Sequence, residues 1–361
     1  MEDYNGAAAV AAEEAETASG EPNGSEKKHK RKLTAREKGK VALIVITRDS
    51  AEPNDALTEW MSYISDDAPV TRLAIPGSHD SGCSGMPWYA ETQDLNFAEQ
   101  LARGVRYFYI RVNKTGGDLG IFHGPVNGMD YGELLYQIDE FMDAHPSEFL
   151  ILDFSHFKND SESEVYRLFD EIVSAERVVN DTCMTDSEYL DSLTLGDVRG
   201  KCVVFVDPEE TEFCCRDYLF FKMGDEVEAG QEDLFSLVSP YKKLWNGSST
   251  KKFTDKILDR YIDTFKGIDS GFFVLQCQLT DNALVFGPRY REGKLIERAN
   301  DFVRALYDNA EDLPYINIIM RDFVTCEKTA LIVGLNIAKG WVSGEKAESF
   351  AASLAEFTDA I

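Results

Sequence analysis

The sequence predicts an α/β fold, a closed (β/α)8 barrel of the TIM type in a single domain, on three observations. From residue 71 onward, β-branched and aromatic runs alternate with helical apolar periods, the pattern of βα units and a mainly parallel sheet. Eight such runs lie at 72–76, 105–112, 120–123, 149–154, 202–207, 235–238, 272–279 and 316–324. They spread over 255 residues, 71–325, close to the roughly 250 residues such a barrel takes. Helical stretches fall between them at 96–103, 131–144, 163–173, 252–265 and 294–307, and another apolar helical face lies at 346–357. An open doubly wound sheet fits the same alternation, but no GxGxxG or P-loop pattern is present to seat a nucleotide at its switch point.

The 361 residues are 43% hydrophobic and 11% aromatic, enough for a sizeable core, which excludes a disordered or collagen-like chain. A formal charge of −27 excludes a partner such as DNA or RNA. The charge is segregated. Residues 1–26 carry seven acids and no base, and residues 27–40 carry eight bases and one acid. The excess acid therefore belongs to 41–361, the expected barrel, while 1–40 lacks an apolar period and reads as a disordered tail. Its basic run at 27–40 is either a solvated linker or a polybasic segment for peripheral membrane contact, worth about 1 kcal/mol per base at an anionic surface.

Seven cysteines, odd in number and without CxxC spacing, argue against a disulfide framework or a zinc site. No apolar run approaches 18 residues, and VALIVI at 41–46 is too short for a signal-peptide core or a membrane span. The expected location is cytoplasmic or peripheral to a membrane.

Histidine is scarce: His29, His79, His123, His145 and His156. His29 falls in the tail, and His145 ends a helix just before Pro146, where its charge suits the dipole. His79, in PGSHDSG, ends the first strand and His123, in FHGP, ends the third, and barrel active sites are built at such carboxyl ends. An imidazole titrates near pH ~6.5, so two on opposite sides of one scissile bond supply a base and an acid. Either alone also reads as a satisfied loop residue; the pair favours chemistry. Arg111 shares a strand face with Tyr109 and is either a structural ion-pair member or the anion-binding group of a site. In a closed barrel Asp322, near the end of the eighth strand, neighbours the first strand and can orient His79.

At these residues the chain resembles the X-domain family of phosphatidylinositol-specific phospholipase C. The matching pieces are LAIPGSHDSG at 73–82, EQLARGVRYFYIRV at 99–112, IFHGP at 121–125, IDEFMDAHPSEFLILDFSHF at 138–157, DVRGKCVVFV at 197–206 and INIIMRDFV at 316–324. They run in order through about residues 68–340 and look most like the single-domain members. The resemblance implies a somewhat distorted TIM barrel acting on an inositol phospholipid at a membrane surface. It makes His79 the base that activates the inositol 2-hydroxyl, His123 the acid that protonates the departing diacylglycerol oxygen, and Arg111 the phosphate contact. Asp80 becomes the acidic partner beside the first histidine, and Asp322 the carboxylate that orients it.

The chain also departs from the family pattern. Where the pattern has an aspartate two residues before the arginine, this chain has Tyr109. The calcium-dependent branch holds its metal with an asparagine after the first histidine and acids on strand two, and here those places are Asp80, Tyr109 and Arg111. No cofactor is expected, since calcium takes six to eight oxygen ligands and a guanidinium supplies none. For the headgroup the corresponding strand ends offer Ser155 or His156, Asp207, Ser239 and Tyr241. Three functions stay open on these residues: a metal-independent lyase of inositol lipids, a catalytically impaired X-domain that binds lipid or a partner, and a phosphodiesterase of another substrate.

Overall fold

Alternation along the strands builds the barrel. The computed structural model describes residues 51–180, 187–207, 218–223, 236–239, 270–279 and 287–361. The tail 1–40 with its basic run, the expected helix 252–265 and Tyr241 lie outside the described residues. Ten strands are described: β1 (Ile75–Ser78), β2 (Tyr107–Thr115), β3 (Asp118–His123), β4 (Val126–Asp130), β5 (Leu150–Lys158), β6 (Cys202–Val206), β7 (Leu219–Met223), β8 (Leu237–Val238), β9 (Phe272–Cys277) and β10 (Ile318–Arg321). Parallel pairings run β1, β2, β5, β6, β7, β8, β9, β10 and back to β1. This is the expected eight-stranded parallel barrel, thinnest at the two-residue β8.

Side chains on successive residues go to opposite faces. Tyr107, Ile151, Val203, Phe205, Phe272, Val274, Ile318 and Met320 fill the interior. Phe108, Ile110, Leu150, Leu152, Val204 and Val206 face out against the helices Tyr131–Ala144 and Glu162–Ile172. On the far side Phe273, Leu275 and Ile319 pack on the helices Gly287–Leu306 and Cys326–Ala338. Leu57, Trp60, Met61 and Ile64 join the interior cluster, so the segment ahead of β1 closes the amino-terminal end of the barrel.

The strand count is right, but one member is exchanged. The run at 120–123, expected as the third barrel strand, is β3, which pairs antiparallel with β2 in a hairpin and carries β4 on its outer edge. Its turn is Gly116–Gly117, with φ of +65° and +106°, the left-handed pair that a two-residue hairpin turn requires. The missing barrel strand is β7, and the buried helix Cys326–Ala338 was not expected either. Among the described residues no helix is long and apolar enough to cross a membrane.

Candidate active site

The carboxyl ends of β1, β2 and β10, together with the returning end of β3, bring together all five expected catalytic residues. β1 runs into a tight turn at His79–Asp80, where Asp80 takes a left-handed φ of +44°. The turn is pinned by Ser81 N–H on the Tyr109 carbonyl (3.0 Å), Cys83 N–H on the Asp80 carbonyl (3.0 Å) and the Ser78–Ser81 hydroxyl pair (2.7 Å). The β2–β3 hairpin rises past the rim and folds back, with Val112 opposite Ile121, which returns His123 to the level of the mouth. Gly82 permits this approach, because a Cβ there would lie 2.8 Å from the Ile121 side chain.

His79 Nδ1 lies 2.8 Å from Asp322 Oδ1, the neighbour relation that barrel closure demands. With Nδ1–H donated to that carboxylate, Nε2 keeps its lone pair and faces the mouth, 3.5 Å from Asp80 Oδ2. His123 stands across the same carboxylate, Nε2 at 3.6 Å from Asp80 Oδ2, while its Nδ1–H donates to the Ala90 carbonyl at 2.8 Å. Arg111 Nε reaches Asp80 Oδ1 at 2.7 Å. That contact is close but poorly aligned, since neither Asp80 oxygen nor Arg111 Nε makes a hydrogen bond of good geometry. Asp80 is fully buried, whereas the side chains of Arg111, His79 and His123 are 21%, 13% and 25% exposed, so the two histidines and the arginine line the open side of a buried anion.

Burial opposes each of these charges, and the cluster outweighs it in three. Desolvation pulls the His79 pKa down, but Asp80 and Asp322 more than restore it, leaving it raised. Desolvation pushes the Asp80 carboxyl up, yet Arg111 and then His79, His123 and His156 hold it below the ordinary carboxylate value. Arg111 is likewise held more firmly protonated by Asp80 than burial disfavours it. Asp322 differs: burial raises its pKa, and the His79 contact offsets this only in part.

The headgroup expectations come out unevenly. His156 borders the mouth, Nε2 3.4 Å from the Tyr109 hydroxyl, and half-buried Asp207 follows β6. Ser155 is buried against Asp153 (2.7 Å), and Ser239 accepts a hydrogen bond from Gln276 (2.7 Å). Tyr241 lies outside the described residues. Below Tyr109 is a lysine the sequence reading missed: Lys222 of β7 donates to Asp153 Oδ1 (2.9 Å) and to Ser155, with its ammonium 5.1 Å from the centre of the Tyr109 ring. Asp153 also accepts from the Tyr107 hydroxyl at 2.6 Å. Among the described residues no three His, Cys, Asp or Glu side chains form a group that could hold a metal ion.

Comparison with known proteins gives the same family as the ordered motifs. The family described as phosphatidylinositol-specific phospholipase C, X domain, matches residues 67–207. A 1-phosphatidylinositol phosphodiesterase of Staphylococcus aureus is 31% identical over 226 residues, covering 59% of this chain and 69% of the relative. The chain belongs to the phosphatidylinositol-specific phospholipase C family. A 1-phosphatidylinositol phosphodiesterase of Listeria monocytogenes is 27% identical over 275 residues, 73% of this chain and 80% of that protein. The solved structure of the phosphatidylinositol-specific phospholipase C of Listeria monocytogenes superposes with a TM-score of 0.61 at 24% identity, over 78% of this chain and 98% of that one, and it shares the fold. The protein is accordingly a phospholipase C-type phosphoric diester hydrolase or lyase.

Proposed function

We propose that the protein cleaves phosphatidylinositol, or a related inositol lipid, to diacylglycerol and a cyclic inositol phosphate. The observation that carries this reading is the pair of imidazole Nε2 atoms set on either side of one buried carboxylate, 3.5 and 3.6 Å from Asp80 Oδ2, with Arg111 beside them. His79 Nε2, free because Nδ1–H is donated to Asp322, takes the proton of the inositol 2-hydroxyl as that oxygen attacks phosphorus. The bond from phosphorus to the diacylglycerol oxygen breaks, and His123, doubly protonated, delivers its Nε2 proton to the departing oxygen. Each positioned acid or base is worth roughly 10²–10⁴-fold. Arg111 supplies fixed positive charge to the phosphoryl oxygens as they gain charge. The step leaves His79 protonated and His123 neutral, the states needed for water to open the cyclic product with the roles reversed.

Tyr109 does not deprive Arg111 of a carboxylate, because Asp80 occupies that role from the neighbouring strand. Tyr109 and Arg111 fill places that supply acids in the calcium-dependent pattern, and a guanidinium offers no oxygen ligand, so the reaction is assigned to acid–base and arginine chemistry without a cation. His156 and Asp207 are assigned to the headgroup, as is Tyr241. Membrane contact through the basic run at 27–40 belongs to the same reading.

Incubation with phosphatidylinositol vesicles, followed by phosphorus NMR, is expected to show a five-membered cyclic phosphate, with or without chelator. A folded protein that binds the vesicles and forms no such product overturns this reading in favour of a lipid-binding X-domain. Loss of turnover on adding chelator overturns the metal-free assignment alone.

A further inference from the structure

The two histidines lie on different elements, yet one short segment, 90–94, touches both. The Ala90 carbonyl accepts the His123 Nδ1–H at 2.8 Å. The fully buried Gln93 side chain donates Nε2–H to the His79 carbonyl (2.9 Å) and the Arg321 carbonyl (3.2 Å), and its Oε1 accepts from Val324 N–H (3.0 Å). It therefore stitches the end of β1 to the end of β10, the two strands that carry His79 and Asp322. Between them, Thr92 bonds the Asp80 carbonyl through its hydroxyl (3.1 Å) and accepts Phe323 N–H at its own carbonyl (2.8 Å). Phe323 itself holds a left-handed φ of +47° directly after Asp322.

This segment is irregular backbone; besides these bonds and its bridge from Gln93 to Ser84, its acidic side chains Glu91 and Asp94 are held by one arginine of a distant helix. Arg289, near the start of the helix Gly287–Leu306, forks onto both oxygens of Asp94, with Nη1 2.7 Å from Oδ2, and reaches Glu91 Oε2 at 3.2 Å. Its guanidinium carbon lies 4.2 Å from the centre of the Phe323 ring. Arg289 is 3% exposed, and although burial opposes its charge, Asp94 and Glu91 hold it firmly protonated. A planar bidentate fork on one carboxylate fixes direction as well as distance.

The geometry points to Arg289 as a positioning residue for the reaction: by anchoring 90–94 it presents the Ala90 carbonyl that keeps the His123 proton on Nδ1 and aims Nε2 at the leaving oxygen. Through Gln93 the same anchor holds the His79 peptide against β10. Arg289 touches no reacting atom; it acts through the segment. The inference rests on the acid role given to His123 above.

The leaving group separates this role from plain stability. A diacylglycerol oxygen needs a proton to depart, whereas 4-nitrophenolate departs without one. Arg289→Met, assayed on phosphatidylinositol in detergent micelles, is expected to lose about 10²-fold in kcat, the scale of a general acid displaced by about an ångström. On the 4-nitrophenyl ester of inositol phosphate the loss is expected to stay under about 5-fold, because the acid contributes little there. Arg289→Lys, which keeps the charge and loses the fork, falls between the two. Should the methionine variant fail to fold, Asp94→Asn breaks the same fork while leaving Glu91 on Arg289.

A readout independent of turnover is the imidazole ¹⁵N spectrum, with His123 assigned by His123→Gln. Neutral His123 is expected to hold its proton on Nδ1 in the wild type and to become a tautomer mixture in Arg289→Met. Equal losses on both esters, or an unchanged His123 tautomer in a folded variant, overturn the inference. A wild type inactive on both esters overturns the proposed function, and the tautomer measurement then still decides the part of Arg289.

Discussion

Two arginines five residues apart, one just before β2 and one within it, serve opposite ends of the barrel with opposite treatment. Arg106, at the amino-terminal end, is wholly buried and saturated. Its Nε and Nη2 lie 2.9 and 2.8 Å from Glu148 Oε2, Nη1 donates to the Leu101 and Val105 carbonyls (2.9 and 2.8 Å), and Nη2 also meets the Thr58 carbonyl. Arg111, at the carboxyl-terminal end, is 21% exposed and meets one carboxylate in poor alignment and the Tyr109 side chain. The first arrangement spends every donor on holding segments together. The second holds the guanidinium beside Asp80 and Tyr109 with part of its side chain open to the mouth, as a group that meets an anion requires. Pairing alone does not distinguish a structural ion pair from a catalytic one; the side-chain surface left open, none on Arg106 and 21% on Arg111, does.

Replacing each arginine by lysine is the strongest way to break the comparison. Arg106→Lys cannot meet the same set of acceptors with three rotating donors, and the stranded carbonyls and carboxylate are expected to cost about 3 kcal/mol of stability in urea unfolding. Activity per folded molecule should not change. Arg111→Lys is expected to keep its stability and lose about 10²-fold in kcat/KM, the scale of removing one preorganised donor from a developing anion. An Arg111→Lys protein that unfolds as readily as Arg106→Lys would put both arginines in the structural class.

A second test concerns the carboxylates around His79. As the base, His79 acts when neutral, and its raised pKa means that kcat/KM falls as pH drops through a value above the ordinary ~6.5. Asp322→Asn removes one of the two carboxylates that raise it against burial, so the acidic limb should move to lower pH. The plateau should fall about 10-fold through loss of the tautomer-fixing contact at 2.8 Å. A limb that moves to higher pH would contradict the assignment of His79 as the base.

Much of this was legible before the structure, for physical reasons that differ by element. Periodicity located β2, β5, β6 and β9 because their outward faces are continuous apolar runs on the core. Closure of the barrel then placed Asp322 against His79 without further information, and the 2.8 Å contact follows from it. The β2–β3 hairpin was misplaced because a short apolar run does not state its direction. The available signal was the Gly116–Gly117 pair, which separates two strand-like runs by two residues. β7 escaped because Lys222 interrupts its apolar run, and a lysine is seldom fully buried unless, as here, a carboxylate from two strands away receives it. The helix Cys326–Ala338 is buried along most of its length, so it lacks the polar face by which helices are recognised. The bonds of Ala90 and Gln93 to the histidine segments depend on irregular backbone, for which no periodic signal exists.

The smallest expected effect bears on Tyr109, which stands where the family pattern has an acid. Its ring lies near three groups, with the Arg111 guanidinium carbon 5.2 Å and the Lys222 ammonium 5.1 Å from the ring centre and the His79 ring centre 5.5 Å away, and its hydroxyl also interacts with Arg111. The hydroxyl has a 3.4 Å contact with His156, long for a hydrogen bond. Tyr109→Phe keeps the ring and both cation–π contacts and loses the hydroxyl contact to Arg111, which Asp80 still holds, so kcat/KM should drop by about 5-fold or less, the scale of one hydrogen bond. A loss of about 10²-fold would instead make that hydroxyl as necessary as Asp80 to the aim of Arg111. The upper arginine would then depend on two fixed partners as the lower one depends on several, and its open face, on which the contrast between the two ends of the barrel rests, would count for less than its position at the mouth indicates.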